Sequence, residues 1–286
     1  MVTSRQHGIR RAGVDSAWLI VVLVVSLLPV ASVGAEEDDP VPAHDFHEIP
    51  TELIRLQVAA ERIHVLTNEV RARHGLGPVR PEQGLTTIAL LHASDMLERN
   101  FFEHVSPEGE GAADRVARWH RRLIGEVGEN LWMRDGWFMI MDVAAQEDLA
   151  RESLAGWMDS PGHRANVLRP GATHLGVGVV ASGGRWRAVQ LFADLVALTD
   201  RPIPNDVRQG QALRLRATGL PGRLGEPERY DLWDPRSDRV VFGPADLESA
   251  VGVKEPGEYQ LRFYFAESPL RYRISRGPSV RVHARR

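Results

Sequence analysis

Residues His174 to Val196 read HLGVGVVASGGRWRAVQLFADLV. Two β-rich runs flank Gly183-Gly184, and a glycine pair between such runs signals a hairpin, because the favoured tight turn needs positive φ at both central positions. The chain before it has a different period. Leu53, Leu56, Ala60, Ile63, Leu66 and Val70 recur every three or four residues, which predicts a helix stopped by Gly75. A second helix is expected to begin near Pro81, where a missing N–H costs nothing, and to carry Leu85, Ile88, Leu91, His92, Asp95 and Met96. Two more follow, over about 112–123 and 143–158. Helices followed by an antiparallel hairpin predict an α+β layered domain over residues 51–198.

The hairpin also marks a boundary. RPIPNDVRQGQ, Arg201 to Gln211, reads as a linker within 199–211. Beyond it, short alternating runs lie at 212–217, 229–233, 239–242, 259–265, 272–274 and 280–283, with turn signals at Pro221-Gly222 and Pro256-Gly257. That pattern predicts a small β-sandwich-like domain over 212–286.

At the other end, Arg5, Arg10 and Arg11 precede the apolar run AWLIVVLVVSLL, Ala17 to Leu28, and Val33-Gly34-Ala35 precedes the acidic EEDD at Glu36. This is the layout of a secretory signal peptide over 1–35, and the run is shorter than the ~20 residues of a spanning helix. An uncleaved anchor is the alternative, and the only route to a membrane. Residues 36–50, rich in Pro and acids, read as a linker. The expected location is therefore secreted or periplasmic. A net charge of −3 without a basic block speaks against nucleic acid. With no cysteine, thiol catalysis, disulfides and thiolate metal sites are excluded together.

Chemistry concentrates in three places. NFFEHVSPEG at Asn100 to Gly109 and SPGHRANVL at Ser160 to Leu168 each set a histidine near a Ser-Pro step, and GEN at Gly128 to Asn130 adds a carboxylate. Histidine and carboxylate are the groups that bind divalent metals through N and O, or move protons near neutral pH. The small and Pro neighbours of His104, Glu129 and His163 read as loops opening a cleft. Asn130 and Asn166 are read as bonding loop backbone, Arg115 as a structural pairing, and His92 as a core histidine on an apolar helix face. Most tryptophans are expected in the core; Trp132 and Trp137 are the exceptions placed at the cleft.

These pieces together carry a resemblance. FFEHVSPEG, GEN, GWMDSPGHRANVL and THLGVGVV, in this order, resemble the bacterial branch of the CAP superfamily, the SCP domain of cysteine-rich secretory, antigen 5 and pathogenesis-related proteins. TNEVR at Thr67 to Arg71 is similar to the family's HNxxR element with Thr67 for its histidine, and RWRAVQLFA at Arg185 to Ala193 to its last strand. The similarity spans about residues 60–195. It implies a three-layer α-β-α sandwich with a cleft of two histidines and two glutamates. His104, Glu129 and His163 match three of these. The fourth position has Ser160, with Asp159 beside it and Glu152 earlier in the helix. In some members the histidines hold zinc or another divalent ion, so the resemblance implies such a metal at His104 and His163.

Three functions follow as expectations. The first is a binding module for a small molecule, a lipid or a cell-envelope component, with Ser160, Asn166 and Trp132 as contact candidates. The second is a hydrolase of peptide or cell-wall substrate, with Glu129 as general base on a water held by His104 and His163. The third is an extracellular interaction protein attached through its C-terminal β domain.

Overall fold

The computed structural model describes residues 53–136 and 142–285. The signal segment at 1–35, the linker at 36–50 and Trp137 lie outside the described residues. The first part of the chain runs through β1 (Ile54–Arg55), α1 (Gln57–Arg73), β2 (Arg80–Pro81), α2 (Gln83–Glu98), α3 (Ala112–Trp119), β3 (Leu123–Asp135), α4 (Val143–Asp159), α5 (Pro161–Val167), β4 (His174–Ser182) and β5 (Arg185–Thr199). Then come β6 (Asp206–Arg208), β7 (Ala212–Leu213), β8 (Ala217–Gly219), β9 (Arg229–Asp234), β10 (Arg239–Asp246), β11 (Val251–Gly252), β12 (Gly257–Ser268) and β13 (Arg271–His283).

The hairpin forms where the glycine pair places it. β4 and β5 pair antiparallel from His174↔Ala193 to Ser182↔Arg185, and Gly183 and Gly184 sit at φ +55° and +76°. Around it the sheet runs β1-β4-β5-β3, with β2 beside β4 and β8 beside β5. Strand alternation then sorts side chains to two faces. Leu175, Val177, Val179 and Phe192 pack with α1 and α4. Val180, Val189, Leu191 and Leu195 pack with α2 and α3. This is a three-layer α-β-α sandwich. Gly176 and Gly178 fall on the α2 side. A Cβ at Gly178 would lie 2.3 Å from Leu90 N, and one at Gly176 would lie 2.2 Å from the Leu85 carbonyl carbon. Only glycine lets the helix backbone rest on the strand there.

Local reading missed two features. Helix α2 begins after Pro81, which pairs in β2, because Glu82 takes the N-cap and its carboxylate accepts from Leu85 N at 2.5 Å. More important, the stretch around GEN is a thirteen-residue strand, β3, paired antiparallel with β5 from Leu123↔Leu198 to Asp135↔Arg185. Its glycines mimic a loop. They are there for close approach: a Cβ at Gly125 would lie 2.2 Å from the Asp194 carbonyl oxygen, and one at Gly128 2.6 Å from Asn166 Oδ1.

The C-terminal region is a five-stranded sheet, β10-β9-β12-β13-β6, with a two-stranded ribbon, β11-β7. Its inner residues Tyr230, Leu232, Leu261, Phe263 and Val280 share one core with Ile124, Val196 and Ala197 of the first sheet. Along 199–211, expected as a linker, the chain is bonded to both parts. Buried Arg121 donates to Ile203 O at 2.7 Å, Pro204 O at 3.1 Å and Ser279 O at 2.6 Å, and β6 pairs with β13.

Candidate functional site

β3 lies at the end of its sheet, so side chains from both helical layers reach around it. Its register sets Glu129 opposite Leu191, on the α2/α3 side, and Asn130 opposite Gln190, on the α1/α4 side. His104 comes from the α2–α3 connection and His163 from α5. Of the three groups read as loop residues, only His104 is in one. The two rings meet with centroids 6.3 Å apart and planes at 49°.

Glu129 is the hub. Its side chain is only 3% exposed, and both oxygens are engaged. Oε1 accepts from His104 Nδ1 at 2.9 Å, and Oε2 accepts from Arg115 Nη2 at 2.6 Å. Arg115, on α3, also donates through Nη1 to the carbonyls of His104 (3.1 Å) and Glu110 (2.7 Å), so one guanidinium holds the carboxylate and the loop together. The expected structural pairing of Arg115 is thus a pairing inside the site. His92 Nε2, on α2, lies 4.0 Å from Oε1.

The electrostatics follow from these contacts. Burial pushes the Glu129 carboxyl up, but the His104 hydrogen bond, the Arg115 charge and His92 together outweigh it and hold the group below its usual value. His104 is shifted up, chiefly by its hydrogen bond to Glu129 against partial burial. His163 is shifted down, by burial first and then by His104. One imidazole is backed by a carboxylate and the other is not. With Nδ1 given to Glu129, Nε2 of His104 is the nitrogen left for the cleft, and its side chain is 53% exposed.

Two asparagines tie the strand to α5. Asn166 Nδ2 donates to Glu129 O at 3.1 Å and Asn130 Oδ1 at 2.9 Å, and its own Oδ1 accepts from Arg169 at 3.0 Å. Asn130 Nδ2 donates to His163 O at 3.2 Å and Gln190 Oε1 at 3.1 Å, and Gln190 Nε2 donates to Thr67 Oγ1 at 2.9 Å. The Asn166 amide is therefore spent on holding the cleft's two walls. Buried Arg71 anchors the far end of α5, donating to Val167 O, Arg169 O and Ala172 O.

The remaining candidates are spread out. Ser160 caps the junction of α4 and α5, and its side chain makes no capping bond. Trp132 is half-buried against the α1/α4 core, 3.6 Å from a Cβ built on Gly156. Glu152 is exposed and paired with Arg134 at 2.8 Å. A shared divalent ion with bonds of about 2.1 Å and tetrahedral angles would hold the two ring centroids about 5 Å apart. The rings are 6.3 Å apart, and among the described residues no three His, Cys, Asp or Glu side chains are grouped to hold a metal. As placed, the donor set does not fit a tightly held ion.

Arg115 and the core histidine His92 are the site members that sequence reasoning left out. The helical period set His92 on the apolar face of its helix but not what lies across from it.

Residues 65–192 match the model of the CAP family, described as the cysteine-rich secretory protein family. The uncharacterized protein YkwD of Bacillus subtilis is 32% identical over 126 residues, 44% of each chain. The uncharacterized membrane protein YlbC of the same organism is 35% identical over 126 residues, 44% of this chain and 33% of its own. The match thus spans less than half the length of these relatives. Among solved structures, an extracellular SCP-domain protein of Bacillus anthracis is similar at 29% identity and TM-score 0.39, covering 48% of this chain and 40% of its own.

Proposed function

Since the chain belongs to the CAP superfamily, bacterial branch, through residues 65–192, we propose that it is an exported protein whose cleft binds a small ligand, a lipid or a cell-envelope component, between His104 and His163. One observation carries this reading: a carboxylate-backed imidazole, half in solvent, facing a second imidazole 6.3 Å away between centroids. Glu129 accepts the Nδ1 proton of His104 and so turns the Nε2 lone pair to the cleft. Neutral, that nitrogen accepts a hydrogen bond from a ligand hydroxyl; protonated, it donates to an anionic oxygen. His163, kept neutral by burial and by its neighbour, supplies the opposite role. The pair suits a ligand with a hydroxyl or acidic head.

A hydrolytic reading uses the same geometry with one change of role. Both oxygens of buried Glu129 are occupied, so the proton acceptor for a water would be His104 Nε2, with Glu129 orienting the ring. Among the described residues no third His, Cys, Asp or Glu joins His104 and His163 to hold a metal, so the binding step runs through the imidazoles alone.

The test is native purification from an envelope extract followed by solvent extraction and mass spectrometry. A species that copurifies with the wild type and is lost in the His104→Ala/His163→Ala double variant supports the reading. Equal retention by the folded variant defeats it. Parallel incubation with peptidoglycan and peptide libraries separates binding from hydrolysis.

A further inference from the structure

We propose that His92 is a positioning residue of the cleft: from its buried place on α2 it holds the backbone entering His104 and bounds the same Glu129 oxygen that His104 uses. This deepens the reading above and adds a third imidazole beneath the two in the cleft.

The geometry is specific. His92 Nε2 lies 3.1 Å from the carbonyl oxygen of Glu103, the residue immediately before His104. A carbonyl only accepts, so the ring carries its proton on Nε2. That N–H also faces Glu129 Oε1 at 4.0 Å, too long for a hydrogen bond but within reach of its charge. The side chain is 1% exposed, and its ring makes a tilted contact with Phe101, 6.0 Å between centroids. Burial, then the charge of Arg115, push the group down to about 4, so the ring is neutral at physiological pH.

Arg115 does the same from α3. It donates to the carbonyl of His104 and to Oε2 of Glu129. The loop is thus held on both sides of the His104 Cα, at Glu103 O and His104 O, by two buried groups that also flank the carboxylate. An apolar side chain at 92 would fill the core equally well. It would leave the Glu103 carbonyl without its donor and free the His104 backbone to turn the ring away from Oε1.

The experiment needs no ligand, so its failure is distinct from failure of the binding proposal. Long-range proton–nitrogen correlation of the 15N-labelled protein reads each histidine's tautomer at about pH 9, well above the ordinary histidine value. In the wild type His92 should carry its proton on Nε2 and His104 on Nδ1. In His92→Leu the Nδ1–H form of His104 should fall from nearly all to about half. His92→Gln, whose amide can donate to Glu103 O, should restore it, which simple loss of core volume would not explain. A His92 proton on Nδ1 in the wild type overturns the proposal without any variant. So does an unchanged His104 tautomer in His92→Leu. If His92→Leu does not fold, the wild-type tautomer and His92→Gln decide.

Discussion

Replacing Glu129 by Gln removes one charge from a place where the structure has arranged two partners for it. Arg115, 7% exposed at its side chain, would keep its charge with no carboxylate in contact. Breaking one side of a buried pair costs about 3–5 kcal/mol. The Gln amide oxygen still accepts one hydrogen bond, and the His104 partner is half in solvent, so the lower end applies, about 3 kcal/mol. For a chain of this size that corresponds to a melting point lower by roughly 6–10 °C. The pH dependence adds a sign. Glu129 is held below its ordinary carboxyl value, so its stabilisation is complete above the ordinary value and is lost as pH falls through the depressed one. His104 is raised, so its share is complete below the ordinary histidine value and is lost as pH rises through the raised one. Thermal melts of wild type and Glu129→Gln at stepped pH should therefore diverge most near and just below neutrality and converge in acid. A difference under about 2 °C at neutral pH, or one that does not shrink on acidification, would refute the assignment of Glu129 as a buried, ionised hub.

Other expectations follow from the same geometry. Gly178→Ala should cost more than about 3 kcal/mol or abolish folding, because its Cβ meets α2 backbone, whereas Gly162→Ala, with nothing within 4 Å, should stay within about 1 kcal/mol in a urea melt. Arg71→Met removes the donor from carbonyls of Gly77, Val167, Arg169 and Ala172 and should cost about 2–4 kcal/mol, with faster amide exchange confined first to α5. Arg121→Met should make residues 199–211 the first site of limited proteolysis, since its guanidinium pins Ile203 and Pro204; a cleavage pattern like the wild type would count against that strut. In His104→Ala the His163 titration should move up towards the ordinary value, because one of its two lowering causes is gone.

Much of this molecule is legible locally. The layers follow from period: three- and four-residue recurrence in α1 and α2, and two runs about Gly183-Gly184 in β4 and β5. The motifs around His104, Glu129 and His163 identify the family, and the fold sets His104 against Glu129 with the His163 ring 6.3 Å away between centroids. β3 was not legible, because its glycines are placed by neighbours distant in sequence, Asp194 and Asn166, and read along the chain they spell a loop.

By itself, then, the sequence determined the longer helices, the β4–β5 hairpin and the family, since hydrophobic period and short motifs are properties of neighbouring residues. Tertiary structure alone decided the state of Glu129. The groups that fix it, His104, Arg115 and His92, come from a loop and two helices far along the chain, and the burial and Coulomb balance that orders them exists only once those elements are packed together.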